Sequence, residues 1–490
     1  MVDPSEQVKF LALNWHRDEN GRDTTQRSGV SVGAILTCVF WQGFSSIFHY
    51  YTKYQKEVKQ DGSIWLPSDS SRISLFVAHE MELNVVLGEP CLDLQIDEQF
   101  VTSKNVTPLL GSRLLRVCQS FFKKSIRGRE LFYADWVTKP IAISDPDVLM
   151  LYKKSLLRSA VPVVRRSKLK IASEVFPEKI TEILTAEILF KTLEKNGIIW
   201  PDEMISIATK YCHQIYAEIR PALITSYAVN QDLLEFYQPT KVNLPADAFE
   251  TWILIYELCK LKKIKTCMYI DGYMPSPTWP VIKTSDNKDW LVDEVAAYGR
   301  ASASTILKTG FPQSRIKTIS PPFADYYKDF KSLPMYQAMI LTWIPNTVNP
   351  SASYGAPQAA LRSTLQLLIS LRYKSIAIKL KTKDEESYVL KVLAELGIEA
   401  DLLYGRLHSV LHKSEIVIGG MSTALAECAI AGIMYYVYEP MENGYTEEMI
   451  NNSSVVNRNS IARDSAELEQ LIRTQSPSWI AVPPEPMLVK

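Results

Sequence analysis

The sequence predicts an α/β fold with two doubly wound parallel sheets, and three observations lead to that prediction. The chain has 490 residues, too many for one hydrophobic core and suited to two domains. Short apolar runs alternate with helical segments, a spacing typical of parallel strands joined by crossover helices. Residues 414–440 combine a strand, a glycine turn, a helix and a second strand in one continuous unit.

Composition narrows the class of protein. Hydrophobic residues make up 47% and charged residues 22%, as in ordinary globular proteins. Lys plus Arg and Asp plus Glu both number 54, so nothing points to nucleic acid as a partner. The seven cysteines lack a metal-ligand spacing and are expected to be reduced, so we expect no metal. No signal peptide or run of 18 apolar residues is found, which favours a cytoplasmic protein and leaves peripheral membrane contact open.

The start of the chain predicts a strand followed by a polar loop. Residues 8–15 form an apolar run typical of a buried strand, and residues 16–28 contain no apolar side chain. A loop after the first strand of an α/β domain lies where such folds bind ligands. Asp18, Glu19 and Asp23 are therefore candidate general bases for an acceptor, although a mobile solvated loop has the same composition.

Further elements of the first half follow from periodicity and from proline positions. They are a helix at 29–48, a strand at 73–79, helices at 178–196 and 202–220 with Pro221 ending the second, a strand at 222–227, a helix at about 246–261, a strand at 265–270, a helix at 301–308 and a strand at 316–319.

Asp271 is the main catalytic candidate of this half. It follows the predicted strand 265–270 directly, so its carboxylate is expected at the carboxyl end of the sheet. There it could act as general base on an acceptor hydroxyl or as nucleophile. Asp271-Gly272 is equally a common turn dipeptide, so a purely structural role stays open.

Basic residues are concentrated between residues 104 and 170, interleaved with apolar ones. One interpretation is an amphipathic surface that contacts anionic lipid, where a lipid-linked acceptor would be found. The alternative interpretation is a set of solvated helix faces.

The second half predicts a regular alternation of strands and helices after a polar linker at 326–334. The domain limits predicted from this linker are 1–330, with a helical insertion at about 104–220, then 335–475 and a tail at 476–490. The expected elements are strands at 338–344, 375–380 and 399–403, helices at 359–371, 385–396 and 407–412, and a final helix at 464–474.

The glycine turn of residues 414–440 is the clearest candidate binding site. Gly419 and Gly420 precede a helix whose first N–H groups and dipole favour an anion, and the hydroxyls of Ser422 and Thr423 could complete a phosphate site. Glu427 lies one turn into that helix. A glycine turn before a helix is also common in α/β proteins without any ligand.

The pattern G-G-x-S-T-A-L-A-E-x-A-x-A-G-I resembles the nucleotide-sugar-binding segment of GT-B glycosyltransferases, and is most similar to the capsule and lipopolysaccharide type. The resemblance implies two Rossmann-like domains facing a central cleft. It also implies that the turn holds the nucleotide phosphates and that Glu427 bonds the ribose hydroxyls. In that family the last helix crosses back to the first domain.

Three more residues are candidates for phosphate contact. Lys379 and Lys381 lie at the carboxyl end of the predicted strand 375–380, and Asn346 follows strand 338–344. Members of the family carry a His or an Arg-rich segment where this chain has the lysines, so the phosphate partner is open. Solvent-exposed lysines are the alternative.

The function that follows is a metal-independent glycosyltransferase without a cofactor. Its partners would be a nucleotide-sugar donor and a glycan or lipid-linked acceptor, with no nucleic acid. The Ser-Thr pair favours a monophosphate donor such as a CMP-linked acidic sugar, while UDP or GDP sugars remain alternatives. A nucleotide-sugar 2-epimerase of the same fold, with His408 and His412 as candidates, and a noncatalytic subunit of a polysaccharide-assembly complex are the other hypotheses.

Overall fold

A computed structural model describes most of the chain. The described residues are 4–67, 72–88, 130–134, 148–152, 166–245, 250–270, 283, 288–319, 327, 333–343, 356–381, 385–422, 424–440, 450 and 456–480. Most of the basic segment 104–170, Asp271, Asn346 and Thr423 lie outside these residues.

The helices and strands are numbered in chain order within the described residues. The helices are α1 (Pro4–Asn14), α2 (Val32–Glu57), α3 (Arg72–Glu80), α4 (Arg166–Val175), α5 (Ala186–Glu194), α6 (Asp202–Tyr237), α7 (Glu250–Leu261), α8 (Gly299–Lys308), α9 (Ala356–Ser370), α10 (Glu386–Leu396), α11 (Ala424–Ala431) and α12 (Ser465–Arg473). The strands are β1 (Gln26–Arg27), β2 (Val30–Ser31), β3 (Ser63–Pro67), β4 (Asn84–Gly88), β5 (Glu130–Ala134), β6 (Val148–Tyr152), β7 (Lys241–Pro245), β8 (Lys265–Tyr269), β9 (Glu294–Tyr298), β10 (Ile316–Ile319), β11 (Tyr336–Leu341), β12 (Ile376–Lys379), β13 (Asp401–Leu403), β14 (Ser414–Gly419), β15 (Met434–Tyr438) and β16 (Ile461–Ala462).

Two six-stranded sheets organise the described chain and confirm the predicted fold class. The first has the strand order β10-β9-β8-β7-β5-β6 and the second the order β13-β12-β11-β14-β15-β16. Every strand pair in both sheets is parallel. Renumbered from its own first strand, the second sheet has the order 3-2-1-4-5-6 of a doubly wound nucleotide-binding domain. The domain limits given above stay a prediction.

Helix α2 is the centre of the first hydrophobic core. Ile35, Leu36, Phe40, Phe44 and Ile47 along it are fully buried against neighbouring helices. Among the described residues, α2 is the one helix that is both long enough and apolar enough to cross a membrane. However, 72% of its most apolar window is buried inside the protein. The five described cysteines are also buried.

Two segments near the start of the chain that the sequence predicts as strands are helices. Residues 8–14 belong to α1 and Trp15 follows it directly; Val8, Leu11, Ala12 and Trp15 are buried. Their spacing of i, i+3, i+4 and i+7 is one face of a helix, so the apolar run has period 3.6 rather than 2. Residues 73–79 form most of α3 for the same reason. Consequently the polar segment 16–28 follows a helix and not the first strand of a sheet.

Pro221 does not end a helix. Helix α6 continues through it to Tyr237, so the strand predicted at 222–227 is wrong. Proline removes one backbone hydrogen bond, but tertiary bonds just before it hold the helix. Tyr216 Oη donates to Pro177 O at 2.7 Å, and Arg220 Nε donates to the same oxygen at 2.8 Å.

The second half agrees closely with the prediction, except for the ends of the elements and for the last helix. The segment predicted as a short helix at 407–412 forms two 3-10 turns. Leu468 and Ile472 of α12 are buried in the core of the second sheet. In the described residues this helix therefore packs on its own domain and does not cross back to the first.

Candidate functional site

The candidate site lies at the point where the second sheet reverses its strand order. From β11 the chain winds through β12 to β13 on one side, then returns to β14 and continues to β15 and β16 on the other. In open parallel sheets, ligands bind in the crevice outside the carboxyl ends of the two strands that flank this reversal. Here those strands are β11 and β14, and the glycine turn directly follows β14.

Gly419 is required by packing inside the turn. A Cβ atom placed on it would lie 2.7 Å from Tyr435 Oη and 3.0 Å from Leu341 Cβ. Tyr435 is fully buried, and its hydroxyl donates to Gly420 O at 2.6 Å. The glycine thus makes room for a tyrosine whose hydroxyl holds the turn by a hydrogen bond. This structural role needs no phosphate.

Tyr435→Phe should loosen this turn without creating a cavity. Removing the hydroxyl leaves the Gly420 carbonyl without its buried donor, which costs about 1–2 kcal/mol. We expect a lower midpoint in thermal or urea unfolding. Tyr404→Phe, at a side chain 48% exposed, is the matched control and should change stability by less than about 0.5 kcal/mol. Equal effects of the two substitutions would contradict a role for the Tyr435 hydroxyl.

Some of the backbone N–H donors between the glycine turn and the start of α11 already have hydrogen-bond partners. Ser422 Oγ accepts the N–H of Ala424 at 3.3 Å, which makes Ser422 a weak cap of the helix. Met421 N–H donates to the carboxylate of Glu439, which follows β15. The sequence predicted free N–H groups here, and the structure shows that the Met421 donor is occupied.

Glu427 is the best-defined functional side chain of the site. It is half-buried, and its Oε2 accepts a hydrogen bond of 2.6 Å from Tyr327 Oη. Burial raises the pKa of Glu427, while the Tyr327 hydroxyl and the Lys379 ammonium lower it. Burial and the Glu427 carboxylate raise the pKa of Tyr327 strongly, so the tyrosine stays a donor. A carboxylate held by one donor keeps acceptor positions for ligand hydroxyls.

Lys379, the last residue of β12, is buried and not solvent-exposed. Its ammonium donates to Leu380 O, and burial lowers its pKa while Glu385 and Glu427 raise it. Glu385 is 3% exposed. Its Oε2 accepts from Thr342 Oγ1 and, at 2.8 Å, from Lys381 N–H. Its Oε1 has no partner among the described residues, which leaves a buried polar atom at the carboxyl edge of β11 and β12.

The remaining donor-site predictions have different outcomes. The side chain of Lys381 is exposed, and its backbone N–H rather than its ammonium is used in the cluster. Asn346 and Thr423 lie outside the described residues. The phosphate role of the lysines stays a prediction. In the described residues no group of His, Cys, Asp and Glu is arranged to hold a metal ion.

In the first domain, two of the three loop carboxylates have local structural partners. Asp18 Oδ1 accepts the N–H groups of Asn20 and Arg22, each at 2.8 Å. Asp23 accepts from Thr25 N at 2.6 Å and also from the Ser31 hydroxyl. Glu19 is exposed. These bonds fold the polar loop onto the start of α2, and a catalytic role for the carboxylates stays a prediction, as it does for Asp271.

The structure also buries two ionisable residues, one in this loop and one on α7, that the sequence did not single out. His16 is 1% exposed, and neither ring nitrogen has a partner among the described residues. Burial lowers its pKa to about 4. Glu257 on α7 is 5% exposed and accepts Ser31 N–H at 3.2 Å. Burial raises its pKa to about 8, helped by the Asp23 carboxylate.

The epimerase candidates His408 and His412 lie in the turns just before β14. They are therefore at the amino end of that strand, while the glycine turn is at its carboxyl end.

Sequence reasoning also missed Tyr327, Glu385 and Glu439. Glu439 could have been predicted from the sequence, because a polar residue at the carboxyl end of a predicted strand is the same signal that selected Lys379. Tyr327 belongs to the polar linker and carried no signal.

The sequence matches no protein-family model and no curated protein. Solved structures resemble the chain over about 70% of its length. The UDP-GlcNAc 2-epimerase of Neisseria meningitidis bound to UDP-GlcNAc has 12% identity and a TM-score of 0.39, covering 71% of this chain and 91% of its own. The UDP-GlcNAc 2-epimerase of Methanocaldococcus jannaschii with UDP-GlcNAc and UDP has 9% identity and a TM-score of 0.41, covering 72% and 95%. HepE of Anabaena with UDP and glucose has 13% identity and a TM-score of 0.38, covering 71% and 89%. Such values are too low to transfer an activity to this chain.

Proposed function

We propose that the second domain binds the nucleotide of an activated sugar, and that the protein is an enzyme acting on that sugar. The observation that carries the proposal is the position of Glu427 at the strand-order reversal, held by Tyr327 and near Lys379. A half-buried carboxylate with spare acceptor positions suits the two hydroxyls of a ribose. The adjacent helix start suits a phosphate.

The reaction proposed first is glycosyl transfer to a glycan or lipid-linked acceptor. The departing nucleotide phosphate would be stabilised by the start of α11 and by the Lys379 ammonium. An acceptor hydroxyl needs a base, for which Asp271 and the loop carboxylates Asp18, Glu19 and Asp23 remain the candidates. A CMP-linked acidic sugar remains the first donor proposed, with UDP and GDP sugars next.

The second candidate is epimerisation of a nucleotide sugar, and one observation favours it. Epimerisation needs acid and base groups and no acceptor. The first domain buries His16 and Glu257 with Asp23 close enough to affect both pKa values. Loss of the donor without an added acceptor, with the nucleotide still attached to the sugar, would identify this reaction.

A thermal-shift screen against CMP, CDP, UDP, GDP and dTDP tests the binding step. A ligand that binds only the native state adds about 2.7 kcal/mol to the free energy of unfolding at 100 times its Kd, and the melting temperature rises as a result. A shift with one nucleotide supports the site and names the base. Product analysis with the matching sugar nucleotide, with and without an acceptor mixture, then separates transfer from epimerisation. No shift with any nucleotide would contradict the proposal and favour a noncatalytic subunit.

A further inference from the structure

Glu439 places a carboxylate in the glycine turn of the proposed nucleotide site. It follows β15 directly, and its Oε1 accepts the N–H of Met421. The backbone of Glu439 is fixed as well, since its N–H donates to Ala462 O at 2.9 Å beside the β15–β16 pair. The carboxylate is therefore directed to the turn by the sheet and does not reach it as a free surface side chain.

Gly420 shows how closely this carboxylate approaches. A Cβ atom on Gly420 would lie 2.9 Å from Glu439 Oε1 and 2.9 Å from Trp343 Cδ1. Trp343 is itself held, because its Nε1 donates to Tyr438 O at 2.9 Å. An internal carboxylate and an indole ring therefore lie directly against the backbone of this glycine turn.

A carboxylate and a phosphate compete for such a position. Both are anionic acceptors, and the Met421 N–H can serve only one of them well. If both stayed, their charges would lie a few ångströms apart, where repulsion is substantial in a partly buried site. The repulsion grows with the charge of the ligand, so a single phosphodiester is disfavoured less than a pyrophosphate.

We propose that Glu439 is a built-in competitor for phosphate at the glycine turn, and that it selects for donors with little phosphate charge. A nucleotide phosphate takes the Met421 N–H only when the carboxylate leaves it. This inference rests on the proposed function and deepens it, because it names a nucleoside monophosphate sugar as the preferred substrate class.

The test is a series of ligands that differ in charge but share one base. Cytidine, CMP and CDP are titrated by calorimetry into the wild type, Glu439→Gln and Glu467→Gln. The glutamine keeps an acceptor for Met421 N–H and removes the charge. Glu467 is the matched control, since it also accepts a backbone N–H, that of Arg463 at 2.6 Å, but lies on α12. Uridine, UMP and UDP form the parallel series if the screen favours uridine.

We expect Glu439→Gln to bind CMP about tenfold tighter than the wild type, CDP tighter still, and cytidine unchanged. Glu467→Gln should match the wild type throughout. Should Glu439→Gln not fold, as judged by circular dichroism, Glu439→Ala replaces it with the same expected order.

Other outcomes overturn the inference in distinguishable ways. Equal or weaker nucleotide binding by the variant, with the wild type binding well, overturns the role of Glu439 and leaves the proposed function intact. Equal tightening for cytidine and CDP also overturns it, because the effect would not depend on phosphate charge. If neither protein binds any nucleotide, the proposed function fails and the inference fails with it.

Discussion

Glu427→Gln should remove most of the thermal stabilisation that a bound nucleotide gives the protein. The glutamine preserves the size of the side chain and an acceptor for Tyr327 Oη, but it lacks the charge that strengthens bonds to ligand hydroxyls. Hydrogen bonds to charged groups contribute about 1.5–3 kcal/mol, so affinity should fall about 10- to 100-fold. The measurement is the Kd of whichever nucleotide stabilises the wild type.

The ligand-free stability separates a binding role from a structural one. Because burial raises the pKa of Glu427, its charge is costly in the folded state, and the neutral variant should melt no lower than the wild type. Glu415→Gln is the matched control. It lies on the same sheet, exposed near the amino end of β14, and should leave affinity unchanged. Unchanged affinity in Glu427→Gln would remove the observation on which the proposed function depends.

Glu257→Gln should abolish a loss of stability that the wild type shows as pH rises towards 8. Burial raises the pKa of Glu257 from 4.5 to about 8 in the folded protein. Between these values the folded state holds a proton that the unfolded chain has released, so each pH unit costs the wild type stability. At about 1.4 kcal/mol per unit, the full shift corresponds to about 5 kcal/mol. Glutamine has no proton to lose, and its stability should stay level.

The clearest window for this experiment lies between pH 6.5 and 8. Below pH 6.5, His16 and His49 act in the opposite direction, because burial lowers the pKa of each to about 4. Their contribution is lost as the pH falls. The melting temperatures of the wild type and Glu257→Gln should therefore move apart as the pH rises from 6.5 to 8, and approach each other as the pH falls below 6.5. Glu174→Gln, at an exposed position on α4, should follow the wild type. Parallel curves for the wild type and Glu257→Gln would contradict a neutral buried Glu257.

Prediction from sequence succeeded where local patterns and tertiary packing agree. In the second half, strands with apolar centres such as β12 and β14 are separated by helices and glycine turns, which is how buried parallel strands appear in a sequence. In the first half, residues 8–15 could not be assigned correctly. An apolar run of eight residues has both a strand and a helix interpretation, and only its burial against α2 decides between them.

The sequence alone determined the α/β class, the parallel direction of the strands in the second half and the position of the glycine turn, because these depend on periodicity and on a few special residues. It also directed attention to Glu427. The tertiary structure decided what surrounds these residues. The partners Tyr327, Glu385 and Glu439 come from segments far from the turn or across the sheet, and no local pattern encodes such contacts. It also decided that the Met421 N–H is occupied, since that depends on where the end of β15 places one carboxylate.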